Sequence, residues 1–116
     1  MWMLVHFASG VAGGLSNVFF GLGTLGVYIM ATGMMTLWEV GEYFMGVRES
    51  MSNRLLDIGV GLAGVYLAMW IAAPLSHRGR VVAFILSFGS ALVLGTLGGI
   101  AFRRRAKREA KAKAKA

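Results

Sequence analysis

The sequence predicts an all-α protein, an integral membrane bundle of four transmembrane helices over residues 1–102 followed by a basic tail at 103–116. Three observations point to it. Hydrophobic residues make up 57% of the chain and charged residues only 15%, against about 25% in ordinary soluble domains. Residues 1–38 contain no Asp, Glu, Lys or Arg, and eight of the twelve basic residues lie between Arg103 and Lys115. A soluble domain of this size buries only about 60–70% of its surface, too little to hide so much apolar chain, so lipid is the better solvent for it.

The elements follow from length. A spanning helix needs about 20 apolar residues. Residues 2–45 are too long for one span and sufficient for two, and Ser16-Asn17 followed by Gly21-Leu22-Gly23 mark the break. Helices are therefore expected at 2–19 and 24–45, with three spans after an N-terminal re-entrant segment as the alternative. Gly46 to Arg54 form the first plainly polar loop. A third helix is expected at 55–73, ended by Pro74, and a fourth at 81–102 after a short loop with His77, Arg78 and Arg80. The low-complexity tail is expected to be a fraying, solvated helix.

Charge placement sets orientation, because cytoplasmic loops are enriched in Lys and Arg. The tail dominates, so the C-terminus is expected in the cytoplasm, and with four spans the N-terminus too. The loop at 46–54 then lies on the cytoplasmic side. The net charge of +7 comes almost wholly from the tail and does not suggest nucleic acid. Arg103, Arg104, Arg105, Lys107 and Arg108 suit anionic lipid headgroups, each contributing about 1 kcal/mol near the surface. With no cysteine, thiol catalysis and thiolate metal sites are excluded. A cleavable signal peptide is not expected, since the N-terminus lacks a basic start and its apolar run continues into the next.

Glycine contributes 17 residues. Gly10 with Gly14, Gly59 with Ala63, and Gly95 with Gly99 are small pairs at i,i+4, a spacing that lets helix backbones approach closely in lipid. Such pairs serve packing within the bundle or contact with a second copy or a larger membrane complex. Two Gly-x-Gly-x-x-Gly runs, from Gly21 and Gly59, lack the strand-to-helix context that makes the pattern a nucleotide signal.

The informative residues are charges in apolar sequence. Glu39 and Glu42 at i,i+3 share a helix face, with Glu39 roughly two turns, or ~10 Å, before the loop. A carboxylate at that depth is costly unless it is paired or faces a wet cavity. Asp57 opens the third helix, where it suits the helix dipole or pairs with Arg54 at i,i+3. If the first two helices form a hairpin, His6 enters the same layer. His6, Glu39, Glu42, Arg48, Arg54 and Asp57 are then expected to converge on one polar pocket at the cytoplasmic mouth. Trp2, Trp38, Tyr43 and Trp70 read as interfacial aromatics, with Trp38 also placed to cover the pocket. No cofactor and no metal are expected, since there is no Glu-x-x-His or His-x-x-x-Asp pair. Enzymatic activity is not expected, because Ser50 and Ser52 lack a recognisable base.

At these residues the chain resembles the VanZ-like family of small membrane proteins. His6-Phe7 matches the family's early His-Phe, Glu39 and Glu42 its acidic pair, Arg48 its loop arginine, Asp57 its aspartate and Gly64 its closing glycine, over roughly residues 4–66. Gly61 stands where the family often has Asn, the loop before Asp57 is longer, and Arg54 is an added charge. The resemblance implies a multi-pass protein of the bacterial cytoplasmic membrane with a role in the cell envelope. Its pocket is expected to bind a lipid headgroup, an ion or a partner helix. A holin-like pore or an accessory subunit of a larger complex is the alternative.

Overall fold

The computed structural model describes residues 2–47 and 49–115. Among these the chain is helical with no strand: α1 (Trp2–Leu15), α2 (Asn17–Phe20), α3 (Thr24–Phe44), α4 (Met51–Ala72) and α5 (His77–Lys115). α1 and α2 form one rod, interrupted at Ser16, whose hydroxyl donates to the Gly13 carbonyl at 2.6 Å. The turn falls at 21–23, where the sequence places it. Gly21 takes a left-handed conformation (φ 62°) open to glycine. The Asn17 side chain brackets the turn, donating to the Leu22 carbonyl at 2.9 Å and accepting from its N–H at 2.7 Å.

Two helices start earlier than expected. α4 begins at Met51 because the Ser50 hydroxyl accepts from the Asn53 N–H at 3.2 Å and caps the helix. Arg54 is thereby helical, and Asp57 sits in the second turn rather than at the opening. Gly46 (φ 83°) turns the chain between α3 and α4. α5 begins at His77, where the Ser76 hydroxyl accepts from the Gly79 N–H at 3.3 Å. It then runs unbroken through Phe102 into the tail, about 58 Å at 1.5 Å per residue, which matches the molecule's longest dimension of 59 Å.

The helices form a layer in the order α3, α4, α1, α5, with α1 also touching α3. α1 and α4 run parallel and almost backbone to backbone. A Cβ on Gly10 would collide with the Gly61 carbonyl, one on Gly64 with the Phe7 carbonyl, and one on Gly14 would stand 2.7 Å from Ala68 Cβ. The close face of α4 is thus Gly61, Gly64 and Ala68. Gly59 and Gly99, expected at interfaces, meet nothing within 4 Å, and α5 instead presents Gly95 and Gly98 to Val5 and Trp2. α3 packs antiparallel on α4 through Val27 and Ala31 against Val65, flanked by Tyr28, Met35, Leu62 and Met69.

The apolar side chains are distributed outwards. The only large side chains fully buried among the described residues are Val27 and Val65, whereas Leu25, Trp70 and Phe44 are 74%, 73% and 81% exposed. Trp2–Phe20, Met51–Ala72 and His77–Lys115 are long and apolar enough to cross a membrane. α3, with 21 residues, is not among them and carries Glu39 and Glu42.

Candidate functional site

The small residues of α1 and α4 bring charged side chains together. Because Gly10 and Gly61 allow near-contact of the two backbones, His6 on α1 and Asp57 on α4 face each other one turn nearer the helix starts. α3 enters the same layer from the other side of α4 with its face Val27, Ala31, Met35 and Glu39, at steps of four residues. His6, Glu39 and Asp57 are all buried, at 8%, 6% and 3% exposure. The antiparallel packing of α5 on α1 brings Gly98 to Trp2, so the basic tail leaves the bundle at this same end.

His6 is held by its own helix. Its Nδ1–H donates to the Trp2 carbonyl at 3.0 Å, which turns Nε2 toward Glu39. Nε2 lies 3.5 Å from Glu39 Oε1, close enough for charge attraction yet without a hydrogen bond, and Nδ1 lies 4.0 Å from Asp57 Oδ1. Neither carboxylate oxygen of Glu39 has a hydrogen-bond partner among the described residues. Burial without such a partner costs a carboxylate more than any other side chain present here.

Arg54 closes the mouth. Its Nε stands 4.0 Å from Glu39 Oε2, its Nη2 donates to the Val47 carbonyl at 3.4 Å, and its guanidinium lies over the Tyr43 ring at 5.4 Å. The expected Arg54–Asp57 pair does not form among the described residues. From the second turn of α4 the arginine reaches back to α3 instead. Glu42 sits at the rim, accepting from Trp38 Nε1 at 2.8 Å, and Glu49 accepts from Asn53 at 2.8 Å. Four of the six residues expected to converge therefore do so, with Glu42 at the edge, and Arg48 lies outside the described residues. Ser50, the nearest hydroxyl in sequence, is spent on capping α4.

Comparison with protein-family models, with curated proteins and with solved structures finds no match.

One nitrogen or oxygen from each of His6, Glu39 and Asp57 can be chosen so that all lie within 4.8 Å of one another. The sequence already places the three in one polar pocket, although no metal-ligand spacing links them, because they come from three helices. Two contributors were missed altogether. The Trp2 carbonyl orients His6, and the Tyr43 ring supports Arg54. The first had a readable signal, since a histidine four residues into a helix can reach the carbonyl at i−4.

Proposed function

We propose that the chain is a multi-pass membrane protein of the bacterial cell envelope, VanZ-like in its site residues, whose working part is a cation-binding site at the cytoplasmic mouth of the bundle. Support for membrane residence comes from three rods of sufficient length and apolarity, and from exposed Leu, Phe and Trp side chains around a seam of Gly and Ala. The tail, rich in Lys and Arg, belongs on the cytoplasmic side against anionic headgroups, and it carries the site to that side with it.

The observation that carries the ligand class is the buried Glu39 carboxylate, without a hydrogen bond among the described residues, beside buried Asp57. Among the described residues two carboxylates face one guanidinium, which stands at the rim, so with a neutral His6 the interior has a surplus of negative charge. A phosphate headgroup would be repelled there and finds its partners in the tail, whereas a cation is attracted. This favours the ion over the headgroup as the ligand of the site.

The test is thermal unfolding of the purified chain in nanodiscs across a series of monovalent and divalent cations, with Glu39→Gln and Asp57→Asn as comparisons. A ligand that binds only the folded state raises the midpoint with concentration. A cation-dependent rise in the wild-type chain that both variants lose supports the reading. A rise produced by anionic lipid alone and unaltered in the variants would contradict it.

A second reading is favoured by one observation. α3 packs on α4 along a single stripe, and its Gly33 and Gly41 have open space beyond them. That suits an accessory subunit, or an oligomer, whose partner helix covers α3. Mass measurement of the complex extracted in mild detergent distinguishes a lone chain from either.

A further inference from the structure

We infer that the ion is a divalent transition cation of the Zn²⁺ class, held among His6, Glu39 and Asp57, one ligand atom of each lying within 4.8 Å of the others. The inference rests on the cation reading above and names the ion that the site is built to take.

The argument starts with the proton on His6. Nδ1 donates to the Trp2 carbonyl, so Nε2 is the ring nitrogen available to a metal, which takes it as the neutral imidazole. Nε2 faces Glu39 Oε1 across 3.5 Å, and both are buried without a hydrogen-bond partner among the described residues. Positive charge between the two atoms, a proton on Nε2 or a bound ion, makes the contact attractive. Ligand atoms bound to one Zn²⁺ at about 2.0–2.2 Å lie roughly 3.0–3.5 Å apart, so the separation suits a shared ion. Metal-bound histidines usually donate their other N–H to a carbonyl or carboxylate, as His6 does to Trp2.

The donor set selects among cations. Mg²⁺ and Ca²⁺ prefer oxygen ligands, and an imidazole at the centre of the set favours Zn²⁺ or a similar first-row ion. Two carboxylates neutralise a divalent charge, as a buried site requires. Arg54 holds the other side of Glu39, near Oε2, and so leaves Oε1 to the ion. Three protein ligands leave a fourth position, the arrangement of zinc sites that bind water or a substrate. The neighbouring group of Glu39, Glu42 and Glu49 is a poorer candidate, because it offers no nitrogen and its two outer members are bonded to Trp38 and Asn53.

The experiment uses the full chain, purified without a histidine tag, stripped by chelator and placed in nanodiscs. Zn²⁺, Mn²⁺, Mg²⁺ and Na⁺ are titrated calorimetrically, and the Zn²⁺ complex is examined by X-ray absorption. The expected result is one Zn²⁺ per chain with imidazole scattering. Binding weakens at least tenfold in His6→Gln, Glu39→Gln and Asp57→Asn, and is unchanged in His77→Gln, which removes the chain's other histidine. Should His6→Gln fail to fold, the absorption spectrum of the wild-type complex decides, and absence of imidazole scattering overturns the inference. Binding confined to Na⁺ or Mg²⁺, or Zn²⁺ binding indifferent to His6→Gln, overturns the transition-ion assignment while leaving a cation site in place. No cation binding at all overturns both.

Discussion

His6 Nε2 faces Glu39 Oε1 across 3.5 Å, from helices α1 and α3 that otherwise scarcely touch. The contact is arranged by a third helix. α4 approaches α1 through glycine and carries α3 on its other side, so the charged residues of all three meet at one end of the bundle.

Glu39 is placed for binding at the expense of stability. A buried carboxylate without hydrogen bonds is unfavourable, and replacing buried charges by well-packed apolar groups is often neutral or stabilising. In cation-free buffer the double variant Glu39→Leu/Arg54→Leu, which replaces the pair together, is expected to leave unfolding free energy within about 1 kcal/mol of the parent or to raise it. The same variant loses all cation-induced stabilisation. Denaturation in detergent with and without divalent cation checks both. A fall of several kcal/mol in cation-free buffer would make the carboxylate a structural element.

The glycines of the α1–α4 seam and those of α3 differ sharply in what they tolerate. Gly64→Ala drives a methyl into the Phe7 carbonyl and is expected to cost about 1–3 kcal/mol or more. Gly33→Ala on α3 meets open space and is expected to be neutral or to stabilise by up to about 1 kcal/mol through helix propensity. Thermal midpoints of the two variants provide the comparison, and equal effects would contradict the parallel α1–α4 packing.

Arg54 competes electrostatically with a bound cation while holding Glu39 in place. Removing a unit charge about 4 Å from the site alters cation affinity by about 1–4 kcal/mol, depending on local screening. Arg54→Ala is therefore expected to tighten divalent cation binding, and Arg54→Lys to leave it near the parent. Calorimetric titration reads the sign. Weaker binding in Arg54→Ala would show that positioning of Glu39 outweighs charge.

Orientation has a separate test. The chain lacks cysteine, so single cysteines report sidedness cleanly. Leu22→Cys and Ser76→Cys are expected to react with an impermeant maleimide added outside intact cells. Lys113→Cys is expected to react only after lysis. Labelling of Lys113→Cys from outside would move the site to the opposite face.

Helix number and most helix positions were legible because apolar run length and Gly-rich breaks are local properties. The turn at 21–23 was readable for the same reason, since Asn17 and Gly21 close it within five residues. The early start of α4 was less visible, as Ser50 caps a helix whose first turn, Met51 to Arg54, is polar enough to read as loop. At the site, burial of charge in apolar sequence marked His6, Glu39 and Asp57. Their partners were not legible. Arg54 chose Glu39 over Asp57 because the α3–α4 approach, a tertiary property, places that carboxylate beside it.

The most direct measurement is nitrogen–carbon dipolar recoupling by solid-state NMR between the His6 imidazole and the Glu39 carboxylate, with the chain in lipid bilayers. A resolved contact between labelled Nε2 and the carboxylate carbon is predicted, as the 3.5 Å N···O separation requires, with Nδ1 as the protonated nitrogen. Absence of dipolar contact would mean that α1 and α3 do not meet at this layer, and the site would not exist.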